Sequence, residues 1–371
     1  MPSKPSPLSR RDFLRLSALG LGSLAGSRLL SACSPNPATA TAAPAVPTVP
    51  VTSATAPATA AATLSAGSRP EIIKFFPAVP SRVVQTHHSG VWSEKTLVPG
   101  ALRQMLDASI TKLTGLNDAR EAWAALFKPG ERIAIKVNAF RNGIIWTHVP
   151  LVQAVTDSLQ AAGIPAEGIT IYDYTSSELS TAGYSVNEDA PGVRCTGMDS
   201  NYDTAFTSVM NRPIKLASIL KDCDALINIP VLKSHMMAGI TFAMKNHYGS
   251  FYYPDMLHSG DMTEIAALNA LPEIRQRTRL IIGDALAANL RYANSWPYWQ
   301  EDWIGDSIFM SFDPVAHDTT GLQLLTRELE KDGGDPASLV GMATPALQYA
   351  VELGLGTSSQ ENMDIIEQTI A

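Results

Sequence analysis

From residue 132 onward, short and nearly unbroken apolar runs alternate with longer stretches in which apolar side chains return every three or four positions. Five runs stand out: 132–138, 168–173, 225–230, 280–284 and 307–313. Each is rich in β-branched residues and apolar on both alternating sets of positions, the pattern of strands covered on both faces. Between the first two, Val152, Val155, Leu159 and Ala162 form a stripe at helical spacing that stops at Gly163-Ile164-Pro165 and predicts a helix over 149–162. Further helices are expected over 316–329 and over 262–270, the latter ended ahead of Pro272. This alternation predicts an α/β fold with a mostly parallel sheet flanked by helices, as a single large domain or two joined lobes over residues 69–371.

Each of the five runs finishes on or near a polar residue: Asn138, Asp173, Asn228, Asp284 and Asp313. Ligands of open α/β sheets bind beyond the carboxyl ends of the strands. Asn and Asp also cap helices and begin turns, and Asp313-Pro314 reads first as a helix start. Five in succession, several beside Lys or His, favour a shared site.

The first 68 residues have a different character. Arg10 and Arg11 precede an apolar stretch that ends at Leu30-Ser31-Ala32-Cys33. This matches a twin-arginine export signal joined to a lipobox over residues 1–33, with Cys33 as the lipidated residue. Residues 34–68 carry no charge and are almost entirely Ala, Thr, Pro, Ser and Val. Such a segment buries no core and reads as a disordered tether, on the order of 100 Å long if stretched at ~3.1 Å per residue. The expected location is extracytoplasmic, on a membrane held through the N-terminal lipid, with the twin-arginine machinery as export partner.

Leaving out the five basic and one acidic residue of 1–33 takes the totals of 28 basic and 35 acidic to 23 and 34, a net charge of −11. That balance argues against nucleic acid, whose binding rests on Lys and Arg neutralising phosphates. Two cysteines remain, Cys195 and Cys223, which either pair or stay as buried thiols. Without a CxxC, an intrinsic iron–sulfur cluster is not expected.

Chemistry concentrates in 228–249, where Lys233, Ser234 and His235 follow an apolar run and Lys245-Asn246 open a helical segment. Cations and backbone N–H donors in one loop make an anion cradle. Lys136, Lys233 and Lys245 are suited to hold an anionic small molecule while His235 or His258 moves a proton. Asp284 and Asp318 are candidate hard ligands for a divalent metal. An anion lying between metal and lysines would reconcile their charges, as in metal-assisted chemistry on a carboxylate or phosphate compound. The aromatic cluster Tyr292, Trp296, Tyr298, Trp299 and Trp303 suits equally a lid over the site or a seal on the edge of the core. His87-His88 are open to either placement.

Lys136-Val137-Asn138, Asn228-Ile229-Pro230 with Lys233-Ser234-His235, the segment from Thr241 through Lys245-Asn246 to Gly249, His258, Gly283-Asp284 and Asp313-Pro314-Val315-Ala316-His317-Asp318 together resemble the domain-of-unknown-function 362 family of bacteria and archaea. The resemblance covers residues 135–324. It implies that Lys136, Asn138, Asn228, Lys233, His235, Thr241, Lys245, Asn246 and His258 belong to one site, and it brings no established reaction. The family pattern has an apolar residue where His317 stands, so His317 departs from it. Some members carry ferredoxin-type cysteine clusters, which this chain lacks. The resulting expectation is an exported lipoprotein, an enzyme acting on an anionic small molecule. The alternatives are a non-catalytic ligand-binding lipoprotein and an accessory subunit of a redox complex.

Overall fold

The computed structural model describes residues 80–140 and 144–371; Arg10, Arg11, Cys33 and the tether lie outside the described residues. The strands are β1 (Ser81–His88), β2 (Trp92–Ser93), β3 (Thr96–Leu97), β4 (Ile133–Lys136), β5 (Ile169–Asp173), β6 (Arg194–Gly197), β7 (Thr207–Val209), β8 (Arg212–Ile214), β9 (Ala225–Asn228), β10 (Val231–His235), β11 (Gly239–Thr241), β12 (Thr278–Asn289), β13 (Trp303–Ser311) and β14 (Met363–Ile370). β2 with β3 and β7 with β8 form small separate pairs, and the other ten make one sheet with the path β14-β1-β13-β12-β9-β4-β5-β6.

From β6 to β12 every pairing on this path is parallel. β13 runs against both of its neighbours, β12 and β1, while β14 lies parallel to β1. β10 leaves the path, pairing parallel with β12 and antiparallel with β11. The sheet is thus mixed α/β and mostly parallel, as the pattern of runs predicts.

Alternate residues of the strands feed two cores. Ile133, Ile135, Ala225 and Ile227 pack with the helices Pro99–Thr114 and Val149–Ala161, whereas Ala134 and Leu226 pack on the other face with Pro314–Lys331 and Ala337–Glu352. Burying each Ile or Leu fully contributes about 1.5–3 kcal/mol. Helix Pro314–Lys331 starts as its sequence dictates. Asp313 Oδ1 accepts from Val315 N at 2.8 Å and Ala316 N at 2.9 Å, and Pro314 takes the first position, where no N–H is needed.

Two placements differ from the sequence reading. Asp313 follows the antiparallel strand β13, whose last residue, Ser311, is level with Asn228 through their shared partner Ile281, so the chain reaches Asp313 heading towards the amino ends of β9 and β4 and not out past their carboxyl ends; an apolar run carries no sign of strand direction. Lys233, Ser234 and His235, expected in a loop, form β10, because the chain steps through Ile229-Pro230 and immediately pairs with β12 and β11. Cys195 and Cys223 are free and buried, and burial pushes their thiols up to about 12 and about 11. Among the described residues no helix is long and apolar enough to cross a membrane.

Candidate functional site

The site grows from the carboxyl ends of three adjacent parallel strands. Lys136, the last residue of β4, is in register with Tyr172 of β5 and Asn228 of β9. Its alternate position turns the side chain away from Ile135 and its core, so the ammonium is fully buried. There it donates to Asp173 Oδ1 at 2.6 Å, Val137 O at 2.6 Å and Asn246 Oδ1 at 3.4 Å. Burial pulls the Lys136 ammonium down, and the Asp173 carboxylate offsets part of that. Gly249 closes over the pair. A Cβ there would run into Asp173 Oδ1 and Lys136 Nζ, which explains the need for glycine at this close approach.

A chain of amides leads outward from this pair. Asn228 Nδ2 donates to Ala243 O, Asn246 Nδ2 to Asn228 Oδ1 at 2.7 Å, and Asn138 Nδ2 to Asn246 Oδ1 at 3.3 Å. Each amide spends its N–H on the next acceptor, which leaves Asn138 Oδ1 to accept from Lys233 Nζ at 2.8 Å. Asn138 is itself pinned through its backbone N–H to Thr147 Oγ1, whose hydroxyl donates to Ile229 O.

Beyond Lys233 lies a ladder of rings. Lys233 Nζ sits 5.5 Å from the Trp299 ring centroid, Trp299 stacks on His235 at 5.6 Å, and His235 on His258 at 6.1 Å. Trp299 is held by its Nε1–H, which donates to Ser234 O at 2.7 Å. His235 Nδ1 accepts from the N–H groups of Met237 and Ala238, so Nε2 carries the ring proton. His258 Nδ1 donates to Pro254 O, so its Nε2 is a lone pair facing Lys245 Nζ at 3.0 Å. Lys245 Nζ also lies 3.7 Å from the Tyr248 ring centroid.

The electrostatics follow from burial without a carboxylate in contact. Lys233 and Lys245 are 3 % and 7 % exposed, and neither forms an ion pair with a described carboxylate. Burial lowers both to about 7; for Lys233 the carboxylate of Asp173 offsets part of this and the charge of Lys136 adds to it, and for Lys245 the charge of Lys233 adds to it and Asp255 offsets a smaller part. Burial, then the neighbouring Lys245, keeps His258 neutral, down to about 3, and His235 is likewise held well below its ordinary value.

Thus the residues Lys136, Asn138, Asn228, Lys233, His235, Lys245, Asn246 and His258 come together. Thr241 faces Lys233 across the β10–β11 ladder, and its buried hydroxyl has no partner among the described residues. Asp284 and Asp318 are committed elsewhere. Asp284 Oδ2 accepts from His148 N at 2.7 Å and Nδ1 at 2.8 Å, and Oδ1 from Leu286 N. Asp318 accepts from Ala243 N and Met244 N, which fills the start of the short helix Ala243–Asn246 with the chain's own carboxylate. Burial pushes Asp318 up to about 7. With these oxygens taken, and no group of three His, Cys, Asp or Glu suited to a metal among the described residues, the donor set does not fit a divalent ion. Of the aromatic cluster, Trp299 covers the site, Trp303 lies in β13 and Trp296 is exposed. His87 and His88 belong to β1, where His88 Nε2 bonds Gln104. His148, Thr147 and Tyr248 were not anticipated; the sole local sign of His148 is its place before a proline-started helix.

Comparison with protein-family models matches residues 133–323, just over half of the chain, to the family described as Domain of unknown function (DUF362). The chain belongs to this family. The matched span of this DUF362 protein holds every residue of the network just described. No curated protein matches the chain. Among solved structures, the lactate racemase apoprotein from Thermoanaerobacterium thermosaccharolyticum is similar at 9 % identity and a TM-score of 0.36, covering 65 % of this chain and 56 % of that one. A structural-genomics protein from Thermotoga maritima is similar at 10 % identity and a TM-score of 0.31, covering 70 % and 60 %. The DUF362 chain therefore spans less than two thirds of either.

Proposed function

We propose that this protein is an exported, membrane-tethered lipoprotein whose DUF362 domain binds a small organic anion and acts on it by proton transfer. Arg10-Arg11, the Leu30-Ser31-Ala32-Cys33 segment and the uncharged tether support the export and anchoring. The observation that carries the activity is the pair Lys233 and Lys245, both buried and both lacking a carboxylate partner. A buried charge left unpaired is expensive. An anion placed between the two lysines removes that expense, and the neutral imidazoles of His235 and His258 stand beside it as donor and acceptor. The lysines form one interacting pair, so their protons come off in coupled steps near neutral pH.

Binding an anion must then pull protons in. The test is calorimetry of the whole chain with oxalate and with inorganic phosphate at pH 8, in two buffers of different ionisation enthalpy. Oxalate binding with net proton uptake supports the reading, and Lys233→Met should abolish both signals while the variant stays folded. Binding of neither probe, or binding without proton uptake that survives Lys233→Met, would sink it.

A further inference from the structure

We infer that Lys245 is an amine nucleophile that captures the carbonyl carbon of a 2-oxo acid as an imine, with Lys233 holding the carboxylate of that acid. The inference rests on the anion site proposed above and names the class of anion it takes.

The two lysines terminate the same ring ladder, Trp299, His235 and His258, but they are held differently. Lys233 donates to Asn138 Oδ1, the last acceptor of an amide chain anchored on the Lys136–Asp173 pair, and a fixed carbonyl oxygen favours the ammonium form. Lys245 instead has an imidazole lone pair as its hydrogen-bond acceptor, which the N–H of a free amine can still serve, so losing its proton costs Lys245 only the attraction of the Tyr248 ring face. Its charge is further opposed by Lys233. Desolvation beside a second cation is how a lysine amine becomes nucleophilic at neutral pH. The division of roles follows: Lys233 keeps the proton and pairs with carboxylate, while Lys245 supplies the electron pair.

The groups around Lys245 complete the chemistry. Its nitrogen attacks the carbonyl carbon, a C–N bond forms and the π pair of the carbonyl moves to oxygen. His258 Nε2 accepts one proton from that nitrogen and passes it to the oxygen, giving a carbinolamine. His235 Nε2–H, the ring proton left free by the two backbone bonds to Nδ1, hydrogen-bonds the oxygen as charge develops there. The hydroxyl then leaves with the second nitrogen proton as water, and C=N forms. One amine and one carbonyl give one imine and one water, with no change in oxidation state. The His258 side chain is 24 % exposed, so the ladder is open to solvent at the end where Lys245 sits.

The experiment treats the whole chain with glyoxylate and cyanoborohydride at pH 7, with and without oxalate, and maps the reduced adduct by peptide mass spectrometry. Because ordinary lysines are almost fully ionised at that pH, Lys245 should label at least about tenfold faster than the exposed lysines. Oxalate, which has the carboxylates but no carbonyl, should protect Lys245 selectively, and Lys233→Met should raise the glyoxylate concentration needed. Mapping on the natural sequence makes the result independent of how any Lys245 variant folds. If oxalate binds with proton uptake but Lys245 labels no faster than the surface, the imine inference is overturned and the anion site stands. Fast labelling of Lys245 without oxalate protection overturns the role of Lys233 and with it the 2-oxo acid class.

Discussion

Lys245 and His258 meet Nζ to Nε2 at 3.0 Å, and the direction of that bond is set from behind, because His258 Nδ1 is spent on Pro254 O. His258 is thereby a fixed acceptor, and Lys245 keeps its partner whether charged or neutral. The protonation of Lys245 is left to burial and to the charge of Lys233, which lower it to about 7.

That lowering has a sign. Below pH 7 the folded chain carries a buried ammonium that the unfolded chain solvates freely, so Lys245 weakens the fold there. The handicap fades as pH rises from 7 towards the ordinary lysine value near 10. Lys245→Met keeps the aliphatic stem and removes the charge. It should raise stability by about 1–3 kcal/mol at pH 6, with a smaller gain at pH 9, in urea unfolding. A loss of stability at both pH values would show that Lys245 holds the fold together.

The Lys136–Asp173 pair is structural as well as positional. Asp173→Asn leaves a fully buried ammonium without its carboxylate and should lower stability by about 3–5 kcal/mol, whereas adding Lys136→Met should recover much of that. Equal stability of the single and double variants in thermal unfolding would contradict a shared pair.

His148 is expected to lock the loop after β4. Burial opposes its charge, but Asp284, by attraction and hydrogen bond, and Glu301 outweigh it and raise it to about 10. A raised value means that the stabilisation is full below the ordinary histidine value near 6.5 and is lost as pH climbs through 10. His148→Gln should therefore cost several kcal/mol at pH 6, on the order of 3–5, and visibly less at pH 10. An unfolding difference that stays constant over this range would refute a charged His148.

His317 is fully buried against Phe242 at a ring distance of 4.6 Å, and neither ring nitrogen has a hydrogen-bond partner among the described residues. Burial lowers it to about 3, so the folded state refuses a proton that the unfolded state accepts below about 6.5, and stability falls with pH from there down. His317→Leu, of similar size, removes an unsatisfied N–H and should stabilise by about 1–3 kcal/mol, more at pH 5 than at pH 8. Destabilisation at pH 8 would point to a required role for the imidazole.

The runs at 132–138, 168–173 and 225–230 were legible because strands buried on both faces leave no polar alternation, and Lys136, Asn138 and Asn228 could be placed at their ends for the same reason. Lys245 was legible as a lone charge in an apolar segment. The reversal of β13 was not, since Asp313 ends an apolar run that looks the same in either direction. Nor was the fate of Asp284 and Asp318: an aspartate that serves backbone N–H groups 75 residues away, as Asp318 does for Ala243, has the same letter as a metal ligand. His148 escaped notice because its partner is 136 residues distant. Helix Pro99–Thr114 was readable in principle from Leu102, Met105, Leu106, Ile110 and Leu113.

The pairing of β1 with β14 has a consequence in time. Arg82 and Asp364, joined at 2.7 Å across those strands, stand 282 residues apart. β1 leaves the ribosome early and waits with both edges bare, first for β13 and then for β14. Contacts this distant in sequence close slowly, and a waiting edge strand invites pairing with other chains. Translation of nearly the whole domain therefore precedes its completion, which makes β1 the strand whose protection by a chaperone would matter most.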